Sequence, residues 1–126
     1  MRIASLCLPV AALLLAACSP AEFVPEAPMA LDGVSLEIRP LPQEACDPAR
    51  PFAVRVSWAV QDWPDPKFDF RLDSSRGQLW ARANEASGQQ VSDPWAVPGK
   101  WFVMVDRNTG VVMAAQAVPP LECPPG

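Results

Sequence analysis

The chain has 126 residues, half of them hydrophobic, and its ten basic and fourteen acidic residues give a formal net charge of −4. This length supports one small domain. The acidic excess argues against nucleic acid and against anionic lipid headgroups as partners, since both are bound through basic surface. The sequence has no histidine and no tyrosine, which excludes histidine-dependent triads, cysteine–histidine pairs and histidine metal ligands.

The first predicted element is a short apolar segment at the N-terminus. Arg2 is the only charged residue before Cys18, and residues 3–17 are all apolar or small. That stretch is short for a transmembrane helix, which needs about 20 residues. A basic start, a short apolar core and small residues before the cleavage point are typical of a secretory signal. Residues 1–17 are therefore predicted to be a helical signal peptide, with an uncleaved membrane anchor as the alternative.

The apolar segment ends in Leu15-Ala16-Ala17-Cys18. This run resembles the lipobox of bacterial lipoproteins, in which a branched aliphatic residue and two small residues precede a cysteine. The resemblance implies a diacylglycerol on the Cys18 sulfur, cleavage before Cys18, and acylation of the new amino group, for example with palmitate. Ser19 implies sorting to the outer membrane, on the periplasmic side, because an aspartate there tends to retain Gram-negative lipoproteins in the inner membrane.

The remaining cysteines form a pair. Cys7 is lost with the signal and Cys18 carries the lipid, which leaves Cys46 and Cys123. An oxidising compartment favours a bond between them, so we predict a Cys46–Cys123 disulfide. The alternative is two free thiols or a metal site. Two cysteines without histidine are poor zinc ligands, because zinc takes four, and no metal or other cofactor is expected.

Residues 18–33 are predicted to be the lipidated cysteine and a linker. The linker contains three prolines and several alanines, which favour an extended, polyproline-like chain. Fully extended, it would hold the domain up to about 45 Å from the membrane. Its apolar residues leave a docked strand as the alternative; they are Phe23, Val24, Met29 and Leu31.

From Val34 onward, apolar residues alternate with polar or small ones, as they do in half-buried strands. The clearest example is residues 52–60, where every second residue is large and apolar and Trp58 belongs to that set. The predicted strands cover residues 34–39, 52–60, 68–73, 78–83, 91–97, 101–105 and 111–118.

Turn signals separate these strands. Residues 84–89, which include Ser87-Gly88, are predicted to form a loop. Pro94 places the strand at 91–97 on a sheet edge, because proline cannot donate to the ladder. Pro98-Gly99 fits the central positions of a type II turn, and residues 106–110 are predicted to be a hairpin loop.

Seven short strands predict an all-β fold, a small two-sheet antiparallel sandwich within residues 34–126. The pattern resembles immunoglobulin and fibronectin type III domains, and Trp58 resembles the buried tryptophan of such cores. Without tyrosine, the chain has no tyrosine corner. A small barrel and a transthyretin-like sandwich are the alternative folds.

Candidate functional residues concentrate in two predicted loops. Asp62 and Asp65 flank Trp63-Pro64, a carboxylate pair beside an aromatic ring that could serve a sugar site. The alternative is an ordinary loop whose aspartates start turns and whose tryptophan covers the core. In an immunoglobulin-like layout the loop with Arg107 and Asn108 lies at the same end. Trp63, Asp65, Arg107 and Asn108 are therefore predicted to form a partner-binding patch.

No catalytic residue is predicted, and the chain is expected not to be an enzyme. The sequence favours a lipid-anchored envelope lipoprotein whose sandwich binds a protein or glycan partner in an accessory or assembly role. The alternative is an inhibitor or immunity lipoprotein directed against a secreted toxin or a cell-wall hydrolase. Such enzymes are often basic, and an acidic domain would complement them.

Overall fold

The computed structural model describes residues 21–125. The predicted signal peptide, the lipobox and Cys18 lie outside these residues, so the anchor remains a prediction. Between Ala21 and Pro125 no helix has the length and apolarity needed to cross a bilayer.

Eight strands form two antiparallel sheets. They are β1 (Met29–Ala30), β2 (Val34–Pro40), β3 (Val54–Val60), β4 (Phe68–Leu72), β5 (Leu79–Ala83), β6 (Ser87–Val91), β7 (Trp101–Asp106) and β8 (Val112–Ala117). One sheet has the order β1-β8-β7-β4-β5 and the other β2-β3-β6. The predicted all-β, two-sheet antiparallel sandwich is thereby confirmed. Among β2 to β8, the first, second and fifth strands share one sheet, as strands A, B and E of immunoglobulin domains do, whereas the fourth, β5, lies beside β4 in the other sheet, unlike strand D of the constant type.

The core lies between the sheets and is built by the inward-facing side chains of the strands, which alternate with exposed or half-buried ones in β2 and β3. In β3, Val56 and Trp58 are buried while Arg55 is exposed. In β4, Phe68 and Phe70 face them, and the rings of Trp58 and Phe70 are 4.9 Å apart. The prediction that Trp58 is a core residue is confirmed.

One predicted strand is displaced along the chain. Residues 87–91 form β6, although a loop was predicted at 84–89 and a strand at 91–97. The latter stretch contributes only an isolated bridge between Ala96 and Phe52. Gly88 lies opposite Trp58, and a Cβ on Gly88 would be 2.7 Å from the indole ring. The glycine makes room for the tryptophan, and its strand lies at a sheet edge with most side chains exposed, so no apolar alternation marks it.

The turn at Pro98-Gly99, the hairpin loop at 106–110 and the disulfide are confirmed. Lys100 N–H donates to Val97 O at 3.2 Å, and Gly99 has a φ of 86°, as the type II turn requires. The loop between β7 and β8 is closed by the Gly110 N–H, which donates to Asp106 O at 2.7 Å. Cys46 and Cys123 are bonded, and their Cα atoms are 5.6 Å apart.

The N-terminal segment is docked on the domain, where a free linker was predicted. Phe23 N–H donates to Ser75 Oγ at 2.8 Å, and Ser75 N–H donates to Phe23 O at 2.9 Å. Further along, Met29 of β1 pairs with Ala115 of β8. The side chains of Phe23 and Met29 pack on a second apolar cluster, formed by Val103, Val105 and Ala115. That cluster lies on the outer face of the five-stranded sheet, so the segment removes apolar surface from water there.

Candidate functional site

Two predicted loops meet at one end of the sandwich. Residues 61–67 connect β3 to β4, and residues 107–111 connect β7 to β8. Asn108 Nδ2 donates to Asp65 O at 3.1 Å and lies 3.4 Å from the Asp65 carboxylate. Arg107 N–H donates to Lys67 O at 2.8 Å. The structure thus brings together three of the four predicted patch residues, Asp65, Arg107 and Asn108.

An open cavity of about 420 Å³ lies at this end of the sandwich and is lined by Lys67, Asn84, Arg107 and Asn108. Arg107 Nη2 donates to Asn84 Oδ1, and Lys67 Nζ lies 3.7 Å from the Asp65 carboxylate. We call Asp65, Lys67, Asn84, Arg107 and Asn108 the loop end. Its donors are ammonium, guanidinium and amide groups, which suit carboxylates and hydroxyls on a partner. Asn84 was missed because only the register of β4 with β5, which pairs Phe68 with Ala83, places it next to Lys67.

Trp63 occupies a different environment from the rest of the predicted patch. Its side chain is half-buried and packs against the main core, as the alternative interpretation of a core-covering tryptophan expects. Asp62 and Asp65 have φ values of 53° and 51°, a left-handed conformation that aspartate tolerates better than most residues. These aspartates therefore shape the loop, and the Asp65 carboxylate is already contacted by Lys67 and Asn108.

A second cluster, which sequence reasoning missed, surrounds Asp69 on the outer face of the five-stranded sheet. The Asp69 side chain is only 8% exposed. Its carboxylate lies 3.1 Å from Arg82 Nε, 3.4 Å from Arg71 Nη2 and 3.9 Å from Arg107 Nε. The sequence alone shows that Asp69 and Arg71 carry opposite charges and lie on the same face of the predicted strand, since they are two residues apart. Only the strand register shows that Arg82 lies directly opposite Asp69.

We expect Asp69→Asn to lower the free energy of unfolding by about 1.5–3 kcal/mol, the range for a hydrogen bond to a charged group. The change leaves three guanidiniums close together around a neutral amide. Urea denaturation measures the loss. Asp73→Asn is the matched control, because Asp73 pairs with Lys100 at 2.8 Å but is 55% exposed, and an exposed pair contributes about 1 kcal/mol or less. Equal losses in the two variants would contradict the role given to Asp69.

The loop end and the Asp69 cluster share Arg107. Its main chain and its Nη2 bond Lys67 and Asn84 in the loop end, and its Nε faces Asp69. Both consist of hydrogen-bonding and charged groups at the surface. Comparison of the chain with protein-family models, with curated proteins and with solved structures finds no significant match.

Proposed function

We propose that the protein is a lipoprotein of the bacterial cell envelope, held on the periplasmic side of the outer membrane by lipid on Cys18. Its sandwich domain would bind a protein or glycan partner through the loop end, in an accessory or assembly role. The observation that carries the anchor is the run Leu15-Ala16-Ala17-Cys18 after a short apolar segment. The bond between Cys46 and Cys123 supports export, since disulfides persist in oxidising compartments.

The loop end has the features of a preorganised binding surface. The Asn108–Asp65 and Arg107–Lys67 hydrogen bonds join the two loops across the sequence, so little further ordering is needed when a partner binds. Arginine is enriched among the residues that dominate binding energy at interfaces. Arg107 is about one-quarter exposed, which leaves part of its guanidinium accessible to a partner.

Crosslinking in intact cells tests the partner. A photoreactive amino acid placed at Asn108 is expected to give a discrete covalent adduct after illumination, which mass spectrometry then identifies. The matched control is the same amino acid at Ser35, an exposed position on β2 of the other sheet. An adduct of equal yield from both positions, or no adduct from Asn108 in cells that contain the folded protein, would contradict a partner at the loop end.

The charge of the mature chain favours an inhibitor as a second candidate. Cleavage before Cys18 removes Arg2 and leaves nine basic against fourteen acidic residues. An acidic domain of this kind would associate rapidly with a basic toxin or cell-wall hydrolase. An Asn108 adduct with such an enzyme, together with loss of its activity in the presence of the domain, would select this candidate over an assembly role.

A further inference from the structure

The docked N-terminal segment determines where the chain leaves the domain. Phe23 is hydrogen-bonded to Ser75 through both its N–H and its carbonyl, and Ala21 lines a cavity beside that contact. Cys18 precedes Ala21 by three residues, which span at most about 11 Å. A lipid on Cys18 would therefore bring the outer face of the five-stranded sheet close to the membrane. An extended linker would instead have held the domain far from it.

The cavity beside Ala21 is rich in arginine. It has a volume of about 330 Å³, and its lining includes Arg71, Arg76 and Arg107, with Asp69 and Asp106 as the acidic groups. We call it the arginine cavity. It lies on the outer face, since Asp69 and Arg71 of β4 are opposite Val105 and Val103 of β7 in the sheet register.

Both acidic groups of the arginine cavity are already engaged by neighbours. The Asp69 carboxylate accepts from Arg82 and Arg71. The Asp106 carboxylate accepts from Thr109 Oγ1 at 2.7 Å and from Asn108 N–H at 3.2 Å. The lining thus carries three positive against two negative groups, and Arg82 adds a further positive charge to the cluster around Asp69.

This local charge is opposite in sign to that of the chain as a whole. Five of the nine basic residues after Cys18 lie on this face or at the loop end; they are Lys67, Arg71, Arg76, Arg82 and Arg107. The nearest acidic residue on the docked segment is Glu22, whose carboxylate accepts from Ser74 Oγ at 2.7 Å. Four carboxylates lie among these five basic groups, namely Asp65, Asp69, Asp106 and Glu22, so the surface where the chain leaves the domain has an excess of one positive charge, although the protein is acidic overall.

We infer that the arginine cavity binds the phosphate of an anionic phospholipid headgroup, so that the domain rests on the membrane by the outer face of its five-stranded sheet. Guanidinium groups match phosphate oxygens in charge and in fork geometry. A basic residue close to an anionic bilayer adds to membrane attraction. The inference rests on the lipid anchor of the proposed function, and it revises the expectation, drawn from total charge, that anionic headgroups are disfavoured.

This orientation leaves part of the loop end available. The arginine cavity runs along β4 from the turn with Ser75 and Arg76 to Arg107, which also belongs to the loop end. Lys67, Asn84 and Asn108 border the separate open cavity of the loop end, so a partner would meet these three side chains.

Arginine footprinting on the acylated mature protein tests the inference. The protein, with its lipid confirmed by intact mass, is placed in nanodiscs of phosphatidylcholine alone or of phosphatidylcholine with phosphatidylglycerol, and modification by phenylglyoxal is followed by peptide mass spectrometry. Arg71 and Arg76 are expected to react about fivefold more slowly in the anionic discs. Arg39 and Arg55, neighbours on the other sheet, should react at the same rate in both. Equal rates for Arg71 and Arg76 in the two discs, or equal protection of all four arginines, would overturn the inference.

Two further arms identify the source of the phosphate and the residues that hold it. Inorganic phosphate added to the phosphatidylcholine discs is expected to leave Arg71 unprotected, and protection equal to that in anionic discs would mean a free-anion site in place of a membrane contact. Arg76→Gln should reduce the protection of Arg71, whereas Arg39→Gln should not; unchanged protection in Arg76→Gln would count against the cavity. A mature protein without the mass of a lipid would instead contradict the proposed anchor.

Discussion

Cys18→Ser is expected to abolish the acylated form of the protein and its attachment to the outer membrane. The sulfur is the only atom of this residue that can carry the thioether. Each buried CH₂ of an acyl chain contributes about 0.8 kcal/mol, and one chain alone gives only marginal binding, while two or more make attachment effectively permanent. Fractionation with immunoblotting and intact mass would show a soluble protein or an unprocessed precursor.

The sandwich itself should remain folded in Cys18→Ser, because Cys18 precedes the described hydrogen bonds of the docked segment, which begin with those of Glu22 to Ser74 and Phe23 to Ser75. The matched control is Cys7→Ser, in the predicted signal peptide, which should leave acylation and localisation unchanged. If the Cys18→Ser protein stays in the outer membrane at the wild-type level, the anchor is wrong.

Reduction of the Cys46–Cys123 bond is expected to lower the free energy of unfolding by about 4–5 kcal/mol in the chain-entropy model. The bond joins the connection between β2 and β3 to the tail after β8, and its cysteines are 77 residues apart. In a domain of this size, about 4–8 °C of Tm are lost per kcal/mol. The melting temperature should therefore fall by about 20 °C or more.

Thermal unfolding followed by circular dichroism, with and without a reductant, measures the effect on an unchanged sequence. The double variant Cys46→Ser, Cys123→Ser should melt at the temperature of the reduced wild-type protein. If the double variant melts at a lower temperature than the reduced wild-type protein, the serine substitutions themselves are destabilising. Oxidised and reduced wild-type proteins that melt within a few degrees of each other would contradict the stabilising role.

Most strands could be predicted because their alternation is a local property. Period-two burial in a strand depends only on which side chains point to the core, and β2 and β3 keep that pattern. β4 and β8 are buried on both faces over part of their length, yet they too lie within one or two residues of the predicted bounds. The turn that contains Gly99 could be predicted for a similarly local reason, since the positive φ that it requires favours glycine. The pairing of Cys46 with Cys123 followed from counting the cysteines.

The site was predictable only in part. Asp65, Arg107 and Asn108 meet because the immunoglobulin-like layout places their loops at one end. Trp63 turns toward the core, which its loop position did not reveal. The three arginines around Asp69 come from β4, β5 and the loop after β7, and no local pattern relates Arg82 and Arg107 to Asp69.

By itself the sequence predicted the all-β class and the disulfide, which the structure confirms, and the lipobox, which stays a prediction, because each depends on local period, count or residue identity. Tertiary structure alone decided three other features. Strand β6 packs beside Trp58 because Gly88, which has no Cβ, leaves room for the indole ring. Phe23 and Met29 dock on the outer face because β7 is apolar on both faces, and their packing removes its outward-facing side chains from water. The arginine cavity forms because strand register gathers scattered basic residues where the docked segment ends.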